Sequence, residues 1–535
     1  MPFLDPKQCR HPYTEKQNAS RPNMFVITMD MVPPEFYRSS GQCRDHMEMP
    51  AWQRLVSDSV CFSNAFSVSP LCGPSRAALF TGRYPYVQVN EERAHDGFEV
   101  EVRPDDPIFP EYLKASGYMT AHIGKSHIGT EKFIQAFGES CSPWNRWAPP
   151  VYDDPEYHDF LKRKGVSDFR YKRCIQGLKV DGKTPGNHYG GWLEQEDGSP
   201  FPVEATYPFY LVDRAIAYLD SLIKQRHDAT APLYLQLDFF APHQPFMIPA
   251  GFEEREEKLR AEMTLPQGYR RCHERNFRAR EGEPKIYQTY RRNWGVYNED
   301  TAFGYYIANM LQMEVMDRAL GRFLDALEQR GLYDESLCLL TADHGEMNLE
   351  EGLLDKGVYG HPKVARVPIY LKQPGNAGAG SSVDQPVCLL DVAPALLDAA
   401  GVQPYAHLDG ESLLDRLRSD DTGREKTFVF ESGWHVAPNF AVAIQIYDGP
   451  HSHYRYVYNV SSPYDELYDM NDVTHTNLIS DTAYAQIVNR ALTTLHRIFH
   501  EDPRWRCYRQ AFDIDKAEQL PMTGGDDQMF IPDHG

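Results

Sequence analysis

The segment Leu71–Arg83 reads LCGPSRAALFTGR, and its residue pattern organises the interpretation of the whole chain. Cys72 is followed by Pro74, then by Ser75 and Arg76, and then by an apolar stretch typical of a helix. Proline fits the first turn of a helix because it has no amide hydrogen to lose there and its φ is already helical. The pattern therefore predicts Cys72 at a helix N-terminus, where free N–H groups and the helix dipole favour an anion.

Length and charge limit the possible classes of protein. The chain has 535 residues, enough for one large core and a smaller domain, since single cores usually stop growing near ~250–300 residues. It carries 55 basic and 76 acidic residues, which argues against a nucleic acid or an anionic membrane as partner, because both require a basic surface. An anionic substrate must therefore be attracted by local charges.

No targeting segment or disulfide framework is recognisable in the sequence. Residues 1–22 are polar, and nothing in the sequence resembles a signal peptide or a membrane span. The 10 cysteines are scattered without CxxC spacing and are few for this length. We therefore expect a cytoplasmic protein with reduced core thiols, Cys72 being the exception.

A short apolar run, Met24–Met29, ends abruptly at Asp30 and is typical of a buried parallel strand. In open α/β sheets, ligands bind at the carboxyl ends of the strands, so Asp30 is a candidate metal ligand. The alternative is that Asp30 only caps the following turn.

The segment Gly117–His127, GYMTAHIGKSH, follows a predicted helix at residues 108–116. Lys125 and His127 are two residues apart, so an extended chain presents both side chains on the same side. An ammonium group and an imidazole so placed can bind an oxyanion. A surface pair without function is the alternative.

Two further strands, at residues 233–240 and 336–341, are predicted to end beside His243 and beside Asp343 and His344. A long amphipathic helix at 305–330 precedes the second of them. Considered alone, His243 could be an ordinary loop histidine, and the Asp-His-Gly sequence an ordinary turn. The convergence of strand ends favours an active site instead.

The remaining segments are less informative. Residues 131–206 show little periodicity and are predicted to form loops around a pocket, and the charged segment 251–293 is predicted to be a surface insertion. Short runs after residue 420 predict antiparallel strands, with a helix at 482–499. Residues 504–535 show no helical or strand periodicity.

These motifs resemble the signatures of the sulfatases. CGPSRAALFTGR is similar to the cysteine-type signature, in which the cysteine is oxidised to formylglycine, an aldehyde that is hydrated to a gem-diol. The resemblance implies an alkaline-phosphatase-like α/β fold at residues 20–420, with a large mixed, mostly parallel sheet sandwiched by helices. It also implies a smaller C-terminal α+β subdomain at 421–504. We expect residues 505–535 to form a tail or an oligomerisation arm.

The resemblance assigns one divalent metal ion to Asp30, Asp343, His344 and the modified Cys72. Many sulfatases carry a second aspartate where this chain has Met31, and an asparagine where it has His344. Loss of a carboxylate and gain of an imidazole favour Mn²⁺ or a similar ion, with Ca²⁺ as the alternative. Phosphonate monoester hydrolases of the same superfamily share both departures.

The resemblance also implies roles for the catalytic groups. Arg76, Lys125 and Lys356 neutralise the non-bridging oxygens of the ester while the diol of residue 72 attacks it. His243, together with Lys356, protonates the leaving group, and His127 takes a proton from the second hydroxyl. The aldehyde then forms again and expels the product.

The leading hypothesis is therefore an arylsulfatase-like hydrolase of sulfate monoesters with some phosphonate monoester and phosphodiester activity. A phosphonate monoester or phosphodiester hydrolase is the alternative. A non-catalytic protein that binds sulfated ligands is a remote third, since a binder needs no acid–base groups. The implied partners are a small sulfate or phosphonate ester, a formylglycine-generating maturation enzyme, and further copies of the chain in a homo-oligomer.

Overall fold

The structure, a computed structural model, describes residues 21–85, 102–103, 105–226, 231–418, 427–432, 439–448, 452–516 and 519. Residues 1–20 of the polar N-terminus, the predicted domain boundary at residue 420 and most of the tail beyond residue 516 lie outside these ranges.

The strands follow one another along the chain with these bounds: β1 Met24–Asp30, β2 Val60–Phe62, β3 Ala65–Phe66, β4 Met119–Lys125, β5 Cys141–Trp144, β6 Phe169–Leu178, β7 Pro185–Gln195, β8 Leu233–Pro242, β9 Phe246–Ile248, β10 Leu337–Ala342, β11 Ile369–Lys372, β12 Ser382–Val383, β13 Val387–Cys388, β14 Val429–Ser432, β15 Ala441–Tyr447, β16 His453–Asn459 and β17 Glu466–Asp469.

The α-helices have these bounds: α1 Gln42–His46, α2 Pro50–Ser57, α3 Cys72–Thr81, α4 Phe109–Ala115, α5 Glu131–Phe137, α6 Pro155–Arg163, α7 Tyr207–Gln225, α8 Glu253–Glu262, α9 Gln267–Glu274, α10 Lys285–Trp294, α11 Glu299–Gln329, α12 Pro362–Ala365, α13 Val392–Ala400, α14 Leu413–Arg418, α15 Ala485–Glu501 and α16 Arg506–Asp515. Short 3₁₀ helices occur at 34–36, 203–205, 350–352, 374–376, 389–391, 482–484 and 503–505.

An eight-stranded sheet with the order β12-β2-β11-β10-β1-β8-β4-β5 forms the centre of the molecule. Strand β1 pairs in parallel with β10 on one side and with β8 on the other, and β4 continues the parallel array to β5. Strand β11 runs antiparallel between β10 and β2. The sheet is therefore mixed and mostly parallel, as predicted.

Helices cover both faces of this sheet, and the side chains of β1 show why. Phe25, Ile27 and Met29 belong to the apolar cluster that includes α7 and α11, whereas Met24 and Val26 belong to the cluster that includes α3, α4 and α13. Successive side chains of a strand point to opposite faces, so a strand covered on both faces is a continuous apolar run. The predicted sandwich of helices around the sheet is confirmed.

The C-terminal strands β14 to β17 form a separate four-stranded antiparallel sheet. Helix α15 packs on one face of this sheet through Ile487, Leu492 and Leu495. The other face meets the larger domain, where the Phe428 and Phe66 ring centroids lie 5.4 Å apart. The prediction of a smaller α+β subdomain is confirmed.

Three segments differ from the sequence prediction. Residues 131–206 are not mainly loops but contain α5, β5, α6 and the long β6–β7 hairpin. The charged segment 251–293 forms α8, α9 and α10, and it is not wholly on the surface because Arg291 is buried and paired with Glu283. The prediction of irregular structure after residue 504 is wrong for α16, where Tyr508 and Phe512 pack on the helix α15.

Among the described residues, the helices include none with both the length and the apolar character needed to cross a membrane.

Candidate active site

Four neighbouring parallel strands bring polar side chains to one edge of the central sheet. Asp30 and Lys125 are the last residues of β1 and β4, and His243 directly follows β8. Asp343 directly follows β10 and is itself followed by His344. Because parallel strands have their carboxyl ends at the same edge, these side chains converge as the sequence predicts.

Cys72 meets this edge from the N-terminus of α3, a helix whose ten residues are all buried. Its sulfur lies 3.2 Å from Nε2 of His344 and 3.6 Å from Oδ1 of Asp30. Burial alone would raise the pKa of the Cys72 thiol, but the charges of Lys125, Lys356 and His344 outweigh it and place the pKa well below its usual value. Position 72 is thus a site for a negatively charged or nucleophilic group.

Asp30, Cys72, Asp343 and His344 form a buried group whose potential ligand atoms all lie within 4.8 Å of one another. Nδ1 of His344 donates to the carbonyl of Gly345 at 2.9 Å, which leaves Nε2 free to bind a metal. Burial opposes protonation of His344, but Asp343 and Cys72 raise its pKa to about 9, so the cluster attracts positive charge. The donor set fits one divalent ion.

Met31 occupies the position at which many sulfatases carry a second aspartate. Its backbone has a φ of 61° and its amide donates to Oδ1 of Asp343 at 3.1 Å, while the side chain is completely buried. The cluster therefore offers two carboxylates and one imidazole beside residue 72. This is a donor set with less oxygen than a Ca²⁺ site usually provides.

The guanidinium group of Arg76 is directed toward two carboxylates, one of which belongs to the candidate metal cluster. Its Nε donates to Oδ2 of Asp343 at 2.9 Å, its Nη1 donates to the carbonyl of Lys125 at 2.8 Å, and Nη1 also lies 3.4 Å from Oδ1 of Asp238. Only Nη2 is without a partner among the described residues. Arg76 thus orients Asp343 and neutralises two buried carboxylates.

Lys125 lies on the other side of the cluster. Its Nζ bonds to Oδ2 of Asp30 and donates to the carbonyl of Trp147 at 3.1 Å. Both charged side chains are fully buried, so the ion pair is shielded from water. The ammonium group therefore has a fixed place beside the proposed metal ligands.

His243 and Lys356 form a second polar pair. Nδ1 of His243 donates to the carbonyl of Gln244, so Nε2 accepts a hydrogen bond from Nζ of Lys356. Nζ of Lys356 also lies 3.0 Å from Oδ1 of Asp355. Burial would lower the pKa of Lys356, but Asp355 and Cys72 outweigh it and raise the pKa, so Lys356 keeps its proton.

His127 completes the group around residue 72. Its ring is hydrogen-bonded to the sulfur of Cys72, its backbone φ is 55°, and Nδ1 has no partner among the described residues. Burial and the charge of Lys125 lower its pKa below the usual value. The structure therefore brings together all the residues that the sequence singled out.

Sequence reasoning missed three residues at this site. Asp238 accepts from His122 Nε2 at 2.9 Å and faces Arg76, and Asp355 pairs with Lys356. A charged residue inside the apolar strand β8 is a signal for Asp238, because a buried charge requires a partner. Trp147, whose ring centroid is 5.8 Å from that of His243, had no such signal.

Comparison with known proteins is consistent with this site. Residues 22–402 match the family model described as Sulfatase, and residues 349–501 match the model described as N-sulphoglucosamine sulphohydrolase, C-terminal. An arylsulfatase of Clostridium perfringens is 24% identical over 413 residues, which cover 74% of this chain and 78% of that protein.

Two further relatives cover more of the chain. The multifunctional alkaline phosphatase superfamily protein PehA of Trinickia caryophylli is 24% identical over 539 residues, which cover 92% of this chain and 98% of that protein. The structure of the phosphonate monoester hydrolase SpPMH from Silicibacter pomeroyi aligns with a TM-score of 0.69 at 19% identity, covering 90% of this chain and 95% of that one. That likeness shows a shared fold.

Proposed function

Because the chain belongs to the sulfatase family, in the alkaline phosphatase superfamily, we propose that it hydrolyses sulfate monoesters, aryl sulfates first. We further propose that residue 72 is the nucleophile after oxidation of Cys72 to formylglycine. The observation that carries the proposal is the convergence of Cys72 with Asp30, Asp343 and His344 in one buried cluster.

Two groups would complete the site. A divalent ion, Mn²⁺ or a similar ion, held by Asp30, Asp343, His344 and residue 72 supplies positive charge that polarises an ester oxygen and lowers the pKa of a bound hydroxyl. Formylglycine, when hydrated, supplies a hydroxyl nucleophile at residue 72.

The cations of the chain bind and orient the ester. The ammonium groups of Lys125 and Lys356 act on residue 72 through their charge, and Nη2 of Arg76 has no hydrogen-bond partner among the described residues. A tetrahedral anion has several oxygens to be neutralised, and fixed charges in a water-poor site stabilise it strongly. These groups would hold the ester beside residue 72.

The protons are handled by two histidines. Nε2 of His243 is the nitrogen that would give a proton to the departing oxygen, while Lys356, hydrogen-bonded to Nε2 in the free site, keeps its own proton and adds positive charge beside that oxygen. His127, hydrogen-bonded to position 72, would remove a proton from a hydroxyl there. Acid and base would thus be two separate groups.

We expect His243→Ala to affect poor leaving groups most, since these require a proton in the transition state. A series of aryl sulfates with phenol pKa values from low to high should show a steeper fall of kcat/KM with rising phenol pKa in the variant. His188→Ala, which changes an exposed histidine, is the control. The same fall for every leaving group would contradict the role of His243 as proton donor.

Phosphonate monoesters and phosphodiesters are the second candidate substrates. Met31 supports this alternative, because the site lacks the second carboxylate that many sulfatases have. A metal, Arg76 and two lysines would neutralise any tetrahedral ester with one negative charge. The site would then distinguish sulfate esters from phosphorus esters mainly by the net charge of the ester.

We expect kcat/KM to be highest for the aryl sulfate and second highest for the phosphonate monoester when one aryl leaving group is compared on four esters. A phosphate monoester carries close to two negative charges near neutrality, since its second pKa is about 6. We therefore expect it to be a worse substrate than the sulfate, phosphonate or phosphodiester. A clear preference for the phosphate monoester would contradict the proposal, and no turnover of any ester would favour a binding protein.

The proposal requires a formylglycine-generating enzyme as a partner. A homo-oligomer and a cytoplasmic location stay predictions from the sequence.

A further inference from the structure

A cavity of about 650 Å³ lies to one side of the candidate active site. It is bounded by α2, by strands β2 and β11, and by the 3₁₀ segment that follows β1. Strand β11 is the second neighbour of β1 in the sheet, so at about 4.8 Å per strand the cavity is displaced by roughly 10 Å. Its described lining residues include none of the catalytic or metal-binding groups.

Three arginines line this cavity, and within the described parts of the chain none of them has a carboxylate partner: Arg38, Arg44 and Arg366. Arg366 donates from Nη2 to the carbonyl of Met470 at 2.9 Å, and its guanidinium lies 5.2 Å from the centre of the Phe66 ring. Burial lowers the pKa of Arg366, and Arg38 lowers it further. The cavity thus contains positive charge that no acidic side chain of the described residues balances.

This lack of balance is unusual for a chain with a net charge of −21. Arg38 and Arg366 are half-buried and Arg44 is exposed, whereas the buried Arg76 and Arg291 each have a carboxylate at hydrogen-bond distance. Guanidinium groups that are partly removed from water require an anion or several hydrogen-bond acceptors. An external anion would supply both.

Aromatic side chains also line the cavity. The rings of Tyr37 and Trp52 are 6.5 Å apart with an interplanar angle of 28°, and Tyr370 meets Trp52 edge-on at 5.6 Å. The hydroxyl of Tyr37 is enclosed, yet among the described residues it has no hydrogen-bond partner. The cavity therefore combines a flat apolar wall with unused hydrogen-bond donors.

We propose that this cavity is a binding site for a small organic anion that carries a planar ring, bound as a second molecule separate from the substrate. The volume lies within the range of small-molecule sites, about 300–1,000 Å³. The ring would pack against Trp52 and Tyr37, and a sulfonate, sulfate or carboxylate group would accept from the guanidinium groups. The planar guanidinium group of an arginine can bind such an anionic group through two parallel hydrogen bonds.

Isothermal titration calorimetry with 2-naphthalenesulfonate tests this site. The compound has a planar ring and one negative charge, and its carbon–sulfur bond is not an ester that the active site could hydrolyse. We expect binding to the double variant Arg38→Gln/Arg44→Gln to be at least about tenfold weaker than to the wild-type protein, since charge-assisted hydrogen bonds are lost. Calorimetry needs no turnover, so the result does not depend on the proposed function.

Two control variants test whether the loss of binding is specific to the cavity. Arg163→Gln/Arg292→Gln makes the same change of charge at two exposed arginines outside the cavity, and we expect it to bind like the wild type. Lys356→Met changes the active site and should also leave this binding intact.

A further variant tests the aromatic residues of the cavity. Tyr37→Phe keeps the ring, removes only the hydroxyl without a partner, and should weaken binding about fivefold.

Three outcomes would overturn the proposal. Unchanged binding by Arg38→Gln/Arg44→Gln would exclude these arginines as ligands. An equal loss with Arg163→Gln/Arg292→Gln would indicate nonspecific attraction. Loss of binding with Lys356→Met alone would place the anion in the active site.

Discussion

Cys72→Ala is expected to lower kcat for an aryl sulfate by more than about 10⁴-fold, because no other described side chain at the site is assigned the role of nucleophile. The sulfur lies 3.2 Å from Nε2 of His344 and is hydrogen-bonded to His127. Removal of the nucleophile at residue 72 also leaves its proton acceptor without a hydroxyl to deprotonate. Initial rates at saturating substrate, with thermal unfolding of the same samples, check the result.

A suitable control is Cys338→Ala, which removes a buried thiol near the start of β10, at the end of the strand away from the site. Peptide mass spectrometry of the wild-type protein should show that activity rises with the fraction of residue 72 converted to the aldehyde. Full activity of a preparation in which residue 72 is entirely cysteine would contradict the proposed nucleophile.

Arg76→Met is expected to lower the free energy of unfolding of the larger domain by about 3–5 kcal/mol, the usual cost of breaking a buried ion pair from one side. The change leaves Asp343 and Asp238 buried without the guanidinium that lies 2.9 and 3.4 Å from them. Urea denaturation followed by circular dichroism, with EDTA present to remove metal ions, measures the difference.

Arg163→Met supplies the matched control, since Arg163 is exposed at the end of α6. Arg76→Lys should lose less stability because it retains the charge but not the forked geometry. A loss below about 1 kcal/mol, the size typical of a surface pair, would mean that Arg76 does not neutralise the buried carboxylates.

The sequence predicts that the candidate metal ligands lie at strand ends, and the reason is local. Asp30 and Asp343 each directly follow a buried apolar strand, and a polar residue that ends such a run marks the carboxyl end of the strand. What the sequence does not contain is the strand order, which places β8 and β10 on opposite sides of β1. Only that order sets the distances within the cluster.

The sequence alone could not predict which residues pair with Arg76. The guanidinium bonds to Asp343, which is 267 positions away, and it faces Asp238 on another strand. Local patterns carry no information about such pairings, because the contacts depend on how the sheet is assembled. The sequence suggested a role for Arg76 at the substrate, whereas in the structure its Nε donates to the candidate metal ligand Asp343 and its Nη1 to the carbonyl of Lys125.

The β6–β7 hairpin was missed for a different reason. Its pairing register shifts three times, between Tyr171 and Arg173, between Cys174 and Gln176, and between Gln176 and Leu178. Each irregularity interrupts the alternation of apolar and polar residues that identifies a strand. The helix α16 was missed because Trp505, Tyr508 and Phe512 repeat at helical spacing only briefly.

The complete burial of α3 also has a consequence for the order of events during synthesis. If residue 72 is oxidised as proposed, the oxidising enzyme has to take the segment around Cys72 into its own active site, yet in the folded chain every residue from Cys72 to Thr81 is enclosed. The proposed conversion would therefore occur while this segment is still extended, before the sheet and its helices assemble around it. A molecule that folded first would keep its thiol, so the active fraction of a preparation would depend on the relative rates of folding and oxidation.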